Sequence, residues 1–450
     1  MARDMTVGKP FPTLFKFAMP MVLGNLFQQL YNVVDSMVVG NFVGEDALAA
    51  VGTTTSITFL FIAVAMGMGI GCSVVISQLF GAKHTDTMKS AISTSLIFMF
   101  LLGGALSLFG LGAHRMILNW IQVPENIFED AAAYLRIYCM GLVFLFMYNI
   151  LNSVFNALGE SRFPLIFLTL SSALNVILDL YFVIRLKMGV PGVAWATLIA
   201  QGISAVLSFM VLLRHFRRIE TEGKPKLFDG HLLTRMFRLA VPTTIQQSIV
   251  SLGLVFVQGL VNSYGSVVIA GYTAATKIDT IAINPMVQVG NSVSTFTAQN
   301  MGAGKTERVK SGLLSGLIIS AGISVSLAIL LFFFGGIFLN AFMNSRESAA
   351  AIGVGIEYIR VVSTFYVLMG TMNVFNGVLR GAGDMKVFMA ATLTNFTLRV
   401  VCAHLFSATS MGASGIWWAI PLGWAVGVLI SGGRFASGKW KTKKIIGAED

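Results

Sequence analysis

The side chains best able to do chemistry are amides and carboxylates placed within long apolar segments. Asn25, Gln28, Asn32 and Asp35 recur at intervals of three and four residues in one apolar run, which places them on one face of a helix. Such groups are costly in lipid and usually face a bundle interior or water. One polar residue would only join two helices, but a stripe of this length predicts the wall of a wet cavity.

Two further apolar runs of the first half carry similar groups. Asn175 and Asp179 lie four residues apart in one run, and Asn149 and Asn152 share a face of the run before it. Because a carboxylate in a low dielectric is disfavoured as an anion, Asp35 and Asp179 are able to take up and release a proton. The same oxygen-rich set suits a hard monovalent cation. The alternative is that both aspartates are hydrogen-bonded struts between helices.

The second half carries basic residues and amides within its apolar runs. Lys277 and Asp279 are two residues apart and cannot pair with each other on a helix. Arg399 is an available partner for Asp279, so a structural ion pair and a direct substrate contact both remain open. The candidates for substrate contact are Gln28, Asn32, Asn149, Gln247, Lys277, Gln288 and Arg399.

The composition indicates which elements must hold these residues. Of the 450 residues, 55% are hydrophobic and 11% are charged, whereas a soluble domain has about 25% charged residues. The lipid bilayer is therefore the predicted surrounding of the chain. The net charge of +11 comes from short basic clusters between apolar runs, a pattern typical of the positive-inside rule. A nucleic-acid partner is not predicted, because no basic stripe on a soluble face is present.

Apolar runs long enough to span a bilayer occur twelve times, and they lack the ten-residue alternation of membrane β-barrels. The predicted fold is therefore an all-α polytopic membrane protein with 12 transmembrane helices. With the N-terminus inside, few of the 31 Lys and Arg residues fall on the outer connections, which predicts that both termini are cytoplasmic. Those few are Arg115, Arg136, Arg185, Lys187, Arg346 and Arg360.

The two halves of the sequence repeat each other. Residues 78–82 match 299–303 at a spacing of 221, and residues 152–160 match 376–384 at 224. Because the repeat covers six helices, an even number, both halves enter the membrane in the same orientation and form two parallel-repeat bundles. The predicted domains are an N-lobe at 1–213, a basic cytoplasmic linker at 214–237, a C-lobe at 238–436 and a cytoplasmic tail at 437–450.

No enzyme chemistry is predicted, so no catalytic residue is named. Cys72, Cys139 and Cys402 share no metal-ligand spacing and are predicted to pack as small apolar residues. No HExxH motif, paired acid motif or nucleophile constellation lies in any span. No cofactor is expected beyond a coupling ion, H+ or Na+, and no metal beyond Na+ at Asp35, Asn175 and Asp179.

Several motifs, in order and spacing, make the chain similar to the multidrug and toxic compound extrusion (MATE) family, and within it to the MepA-like branch of bacterial drug exporters. The resemblance covers essentially the whole chain. The motifs are Phe17 to Pro20, Tyr31 to Asp35 with Gly40, Ala49 to Gly52, Gln78 to Ala82, and Asn175 to Asp179.

The resemblance implies multidrug efflux of small organic cations by antiport against H+ or Na+, from a bacterial inner membrane and by a monomer. It implies two six-helix bundles facing a central cleft that opens alternately to each side. It also assigns an ion-coupling site to Asp35, Asn175 and Asp179, with Asn152 matching a fourth-helix asparagine of the same cluster.

One departure and one alternative accompany the resemblance. NorM-type members carry acids in their seventh and tenth helices, and no matching acid site is expected in this chain, so cation coupling is predicted in the N-lobe. The alternative function is a lipid-linked oligosaccharide flippase of related architecture. A flippase handles an anionic pyrophosphate and favours a cationic cleft. Here the only basic candidates are Lys277 and Arg399, and two aspartates oppose them, so the charge balance favours a cationic substrate.

Overall fold

The structure is a computed structural model that describes residues 3–38, 42–221, 223–342, 349–443 and 445. Every long regular element in these ranges is a helix, as the apolar runs predict. A π-helical turn, Tyr181–Arg185, continues the sixth helix. The helices are α1 (Pro10–Val38), α2 (Glu45–Gly81), α3 (Thr85–Trp120), α4 (Glu125–Met140), α5 (Leu142–Ala157), α6 (Arg162–Leu180), α7 (Val190–Arg218), α8 (Gly230–Asn262), α9 (Ser266–Gly302), α10 (Thr306–Phe342), α11 (Ala349–Thr364), α12 (Tyr366–Ala382), α13 (Met385–Ser407) and α14 (Ser414–Ala436).

Judged by length and hydropathy, the described helices give fewer membrane spans than the twelve that the sequence pattern predicts. Within the described ranges, nine helices are long and apolar enough to cross a bilayer, and two bent helix pairs raise the number to eleven. The helix left out is α1, which is 29 residues long. Its polar stripe from Asn25 to Asp35 lowers its hydropathy. The all-α membrane fold is confirmed, while twelve spans and cytoplasmic termini stay predictions.

Two spans that the sequence predicts as continuous helices are each broken. The fourth span consists of α4 and α5, which meet at Gly141 with a bend of 50°. The tenth consists of α11 and α12, which meet at Phe365 with a bend of 49°. Neither break contains a proline, the residue whose missing N–H marks most helix breaks in a sequence. The apolar runs therefore carry no local signal for either bend.

The chain divides into two compact units. Unit 1 consists of residues 1–4, 23–244 and 450, and unit 2 consists of residues 5–22 and 245–449. The early turns of α1 belong to unit 2, and those of α8 belong to unit 1. The predicted linker at 214–237 is partly helical, because α7 ends at Arg218 and α8 begins at Gly230. Of the predicted tail, residues 437–443 and 445 lie among the described residues.

The internal repeat of the sequence is visible in the packing of each unit. In unit 1, α2 packs against α3, α4 and α5, and α7 packs against α4, α5 and α6. In unit 2, α9 packs against α10, α11 and α12, and α14 packs against α11, α12 and α13. The same order of partners recurs seven helices later. The internal repeat predicted from the sequence is therefore present in the structure, while six spans in each half stays a prediction.

A glycine lies at a close helix crossing in each unit. An added Cβ at Gly69 on α2 would meet Ser153 on α5, and one at Gly290 on α9 would lie 2.7 Å from the carbonyl oxygen of Asn373 on α12. The two glycines are 221 residues apart, the spacing of the repeat. Small residues at such crossings let helix backbones approach closely in membrane proteins.

The connection between α7 and α8 lies along α3 in unit 1. The main-chain N–H of Gly223 donates to Asp86 at 2.7 Å, and that of Asp229 donates to Thr94 at 2.9 Å. The ammonium group of Lys89 donates to the carbonyl oxygen of Ile219 at 2.7 Å. These bonds satisfy backbone groups of a segment that has no helix of its own.

Candidate functional site

The two intramembrane aspartates of the first half lie together in unit 1. Asp35 is near the end of α1, and Asp179 is near the end of α6. Their carboxyl groups lie within hydrogen-bonding reach of each other. Asp179 is fully buried, and Asp35 is partly buried. Because a hydrogen bond between two carboxyl groups needs a proton on one of them, the pair is a site that can hold a proton.

Asn175 joins this pair from the helix turn before Asp179. With its amide oriented so that both its groups are satisfied, Asn175 donates to Oδ2 of Asp179 at 2.7 Å. Its oxygen accepts from the main-chain N–H of Thr197 at 3.1 Å and from the Thr197 hydroxyl at 3.2 Å. Thr197 lies on α7 and is also hydrogen-bonded to the hydroxyl of Tyr31, one turn before Asp35. The site thus links α1, α6 and α7.

Not all acceptor capacity of the pair is used. Oδ1 of Asp35 and Oδ1 of Asp179 are buried, and no amide, hydroxyl or ammonium donor among the described residues reaches either atom. Tyr134 on α4 lies close enough for its hydroxyl to interact electrostatically with both carboxyl groups. A shared proton or a small cation would satisfy these buried oxygens.

Asn152, predicted as the fourth member of the cluster, bonds to a residue other than the two aspartates. Its side chain is hydrogen-bonded to the hydroxyl of Tyr148, one turn earlier on α5. Its Oδ1 is buried without a donor from the described part of the chain. The structure therefore brings together Asp35, Asn175 and Asp179, and leaves the role of Asn152 a prediction.

The seven candidates for substrate contact all keep solvent-accessible side chains. Lys277 is exposed on α9, beside the exposed Thr273 and Thr280. Asn149 donates to the carbonyl oxygen of Leu145 within its own helix, and Gln288 accepts from Asn291 at 3.1 Å. The exposed candidates are Gln28, Asn32 and Lys277, and the partly buried ones are Asn149, Gln247, Gln288 and Arg399.

Asp279, a buried acid of unit 2, has partners other than the one considered from the sequence. Asp279 accepts hydrogen bonds from the hydroxyls of Tyr358 and Tyr366. Asp279 and Arg399, both among the described residues, do not form a salt bridge, although the positive charge of Arg399 is near enough to act on Asp279. Arg399 is instead hydrogen-bonded to Tyr272. A direct ion pair between these two residues is therefore not formed.

The sequence did not single out the hydroxyl groups that complete these two acid sites. Tyr31 stands four residues before Asp35, on the same helix face, which is the available signal for its part in the site. Thr197 lies in an apolar run that carries no acid, so nothing in its neighbourhood marks it. Tyr358 and Tyr366 lie on two sides of a helix break that the sequence does not show.

Comparison with known proteins identifies the family. The MatE family model matches residues 20–181 and 242–423 of the chain. The chain belongs to the MatE family. Both matched segments begin at a proline within the first helix of a repeat, Pro20 and Pro242. The family model thus matches both halves, as the internal repeat requires.

The relatives of this MatE chain are bacterial proteins of similar length. It is 30% identical to the probable multidrug resistance protein YoeA of Bacillus subtilis, and 98% of the chain and 97% of the relative are covered. It is 28% identical to the probable multidrug resistance protein YpnP of the same organism, with 99% of each chain covered. The multidrug export protein MepA of Staphylococcus saprophyticus is 22% identical and covers 91% of the chain.

The fold is shared with solved MATE structures. An outward-facing multidrug resistance MATE transporter superposes with a TM-score of 0.90 and 24% identity, and 98% of each chain is covered. The resemblance to the MATE family, with MepA among the relatives, is confirmed. Because MatE proteins are multi-pass membrane transporters and not enzymes, the prediction of a non-enzymatic membrane protein is confirmed as well.

Proposed function

We propose that the chain is a secondary active exporter that moves small organic cations by antiport against H+ or Na+, with coupling at Asp35 and Asp179. The observation that carries this proposal is the close approach of the two carboxyl groups, with Asn175 bonded to one of them. The names of the relatives YoeA and MepA support multidrug efflux as the activity. A bacterial inner membrane and a monomeric state complete the proposal.

The coupling follows from the charge of the pair. Two carboxylates at hydrogen-bonding distance cannot both ionise without a compensating cation. In the protonated state the shared proton joins Asp35 on α1 to Asp179 on α6. When the proton leaves, mutual repulsion separates the two side chains, and the excess negative charge attracts a cation. By linkage, the ion and the cationic substrate each weaken the binding of the other, which is what antiport requires.

Na+ fits the same set of oxygens. The carboxyl groups of Asp35 and Asp179, the amide oxygen of Asn175 and the hydroxyl of Thr197 are oxygen ligands of the kind that hard cations prefer. Asn175 would reverse its amide to offer its oxygen to the ion. The neutral partners Thr197 and Tyr31 orient the site without adding charge.

Purified protein in liposomes tests the proposal. A fluorescent organic cation is loaded inside, and an inward H+ gradient or an inward Na+ gradient is imposed separately. We expect efflux of the dye under at least one of the gradients and its loss when an ionophore collapses that gradient. Transport under neither gradient would overturn the antiport proposal. The Asp35→Asn variant, reconstituted to the same density, is the matched inactive control.

The flippase alternative is not favoured, because the relatives are named for multidrug export. Its test is direct: a fluorescent polyprenyl-pyrophosphate analogue in the same liposomes would change leaflet without any ion gradient. We expect no such movement above the rate of protein-free vesicles.

A further inference from the structure

The bend between α11 and α12 in unit 2 is spanned by one carboxyl group of a neighbouring helix. Asp279, on α9, accepts a hydrogen bond from the hydroxyl of Tyr358 at 3.1 Å and one from the hydroxyl of Tyr366 at 2.6 Å. Tyr358 belongs to α11, and Tyr366 is the first residue of α12. One side chain therefore holds both halves of a helix that is bent by 49°.

The surroundings fix the positions of these hydroxyls. Tyr358 and Tyr366 are 1% exposed. The ring of Tyr358 packs edge-on against Trp417 and Tyr272, with ring centroids 5.3 Å and 5.6 Å away. Edge-to-face contacts at these separations are favourable and restrict the ring. Arg399 binds the hydroxyl of Tyr272 and places a positive charge near Asp279.

A buried carboxyl group without donors is costly, so both tyrosines matter to Asp279. If α11 or α12 turned alone, one oxygen of Asp279 would lose its donor in a site closed to water. Asp279 is only 8% exposed. The two halves of the broken span can therefore change their mutual bend only by breaking a buried hydrogen bond.

The first repeat has a similar bend but not this arrangement. Its halves α4 and α5 meet at Gly141 with a bend of 50°. At the repeat spacing of 221, the position of Asp279 corresponds to Thr58, whose hydroxyl donates within its own helix to the carbonyl oxygen of Thr55. At the spacing of 224, Tyr358 corresponds to Tyr134, which faces Asp35 and Asp179. At the matched positions of the described residues, unit 1 therefore has a threonine where unit 2 has the acid.

We propose that Asp279 is a positioning residue of the transport cycle that makes α9, α11 and α12 move as one body. The inference rests on the proposed function in one respect: it assumes that the protein passes through a transport cycle. Asp279 touches neither the coupling ion nor the substrate in this scheme. Its effect is on the rate of the conformational step, because the bend must be kept while the helices move.

Spin labels on the two halves measure the bend directly. Cysteines are introduced at Ala350 on α11 and Thr371 on α12, and the three native cysteines are buried and react poorly. Pulsed electron paramagnetic resonance then gives the distance distribution between the labels. We expect one narrow distribution in the parent protein and a clearly broader one in Tyr366→Phe and in Tyr358→Phe. An unchanged distribution in both variants would overturn the proposal.

Transport kinetics supply the second readout. We expect Tyr366→Phe to lower kcat about fivefold with little change in KM, as the loss of one buried hydrogen bond in a conformational step implies. The matched control is Tyr264→Phe, which deletes a hydroxyl that donates to the carbonyl oxygen of Ser407, outside this cluster. A fivefold rise of KM at constant kcat would contradict the proposal and make Asp279 part of the substrate site.

The two readouts separate this proposal from the proposed function. A parent protein that fails to transport cations but shows the expected broadening would overturn the proposed function and leave the spanning role of Asp279 intact. Since Asp279→Asn removes one of the two acceptors and can impair folding, the tyrosine variants carry the test. Each of them deletes a single oxygen atom.

Discussion

At the scale of residues, the question is whether Asp35 and Asp179 are struts or a coupling site. A strut between two helices is most stable when a donor meets an acceptor, as between Asn175 and Thr197. Two acids need a proton between them to form the same bond. The buried Oδ1 atoms that receive no donor from the described residues add to this cost. Such an arrangement suits a group that gains and loses a cation.

Replacing one acid of the pair separates these roles. We expect Asp35→Asn to abolish gradient-driven efflux, since the amide still bonds to Asp179 but no longer exchanges a proton. The variant remains in the membrane at a normal level because the helix contact is preserved. Efflux is measured in liposomes, and the matched control is Asp46→Asn, an exposed acid that pairs with Asn126 at 3.4 Å. Parental efflux by Asp35→Asn would show that the pair is a strut.

The sequence predicts the charged members of this site and not its neutral ones. Asp35, Asn175 and Asp179 are conspicuous because an acid or amide in an apolar run is costly. Tyr31 and Thr197 are not conspicuous, because tyrosine and threonine are tolerated in any helix of a bundle. Their roles depend on which helices meet, and the sequence pattern does not specify that. The same holds for Tyr358 and Tyr366 beside Asp279.

At the scale of elements, the close crossings of α2 with α5 and α9 with α12 explain why glycines recur at the repeat spacing. An added Cβ at Gly290 would lie 2.7 Å from the carbonyl oxygen of Asn373, a separation that real Cβ atoms do not adopt. Backbone cannot move aside as a flexible side chain would. Any larger residue at Gly290 therefore forces the two helices apart.

Alanine substitution tests this crossing. We expect Gly290→Ala to destabilise the protein by about 1 to 3 kcal/mol, the usual cost of overpacking. Gly259→Ala on α8 is the matched control, because a Cβ there meets nothing within 4 Å and alanine is the better helix former. Thermal unfolding in detergent gives the Tm of each variant. A Tm for Gly290→Ala equal to that of the parent would contradict the close-packed crossing.

The start of α8 is stabilised by Asp229. One carboxylate oxygen accepts from the main-chain N–H groups of His231 and Leu232, at 2.9 Å and 3.3 Å, and the other accepts from Lys226 at 3.0 Å. Partial burial works against ionisation, but the hydrogen bonds from Lys226 and the two N–H groups outweigh it and hold the pKa of Asp229 below its ordinary value. The exposed Lys226 adds little to stability.

Because the pKa of Asp229 is lowered in the folded protein, its carboxylate stabilises the fold more at neutral pH than at acidic pH. Asp229 contributes stability that is present above the unfolded pKa of about 3.9 and is lost as the pH falls through the folded pKa. We expect Asp229→Ala to lower stability by about 1 kcal/mol at pH 7, and the difference from the parent to shrink towards pH 3. Asp229→Asn, which keeps the capping oxygen, should cost less. Tm values of the three proteins across this pH range check the expectation, and a pH-independent difference would contradict it.

At the scale of the whole molecule, the two repeats share their packing order but not their chemistry. Unit 1 places Asp35 and Asp179 together with amide and hydroxyl partners. Unit 2 places the buried acid Asp279 between two tyrosines and leaves Lys277 exposed. The sequence predicts part of this asymmetry, because Asp35 and Asp179 share a helix face with amides and Asp279 does not. It does not predict the bends at Gly141 and Phe365, which have no proline or polar signal.

The number of spans decides on which sides of the membrane the connections lie. The charge pattern predicts twelve spans with the N-terminus inside, yet α1 fails the hydropathy test that eleven other spans pass. The polar stripe that lowers its hydropathy is the same feature that carries Asp35. A helix whose polar face lines a bundle interior or a water-filled cavity can span a bilayer despite low mean hydropathy, so we expect α1 to cross.

Single cysteines test this expectation with an impermeant thiol reagent on intact cells. Leu227, in the connection between α7 and α8, is 75% exposed, Trp120, at the end of α3, is 85% exposed, and Val7, before α1, is 55% exposed. If α1 crosses, cysteines at Val7 and Leu227 react only after the cells are opened, while one at Trp120 reacts from outside. Labelling of Val7 from outside, with Leu227 still protected, would mean eleven spans. It would also place Asp35 outside any membrane-crossing helix and remove the basis for coupling through α1.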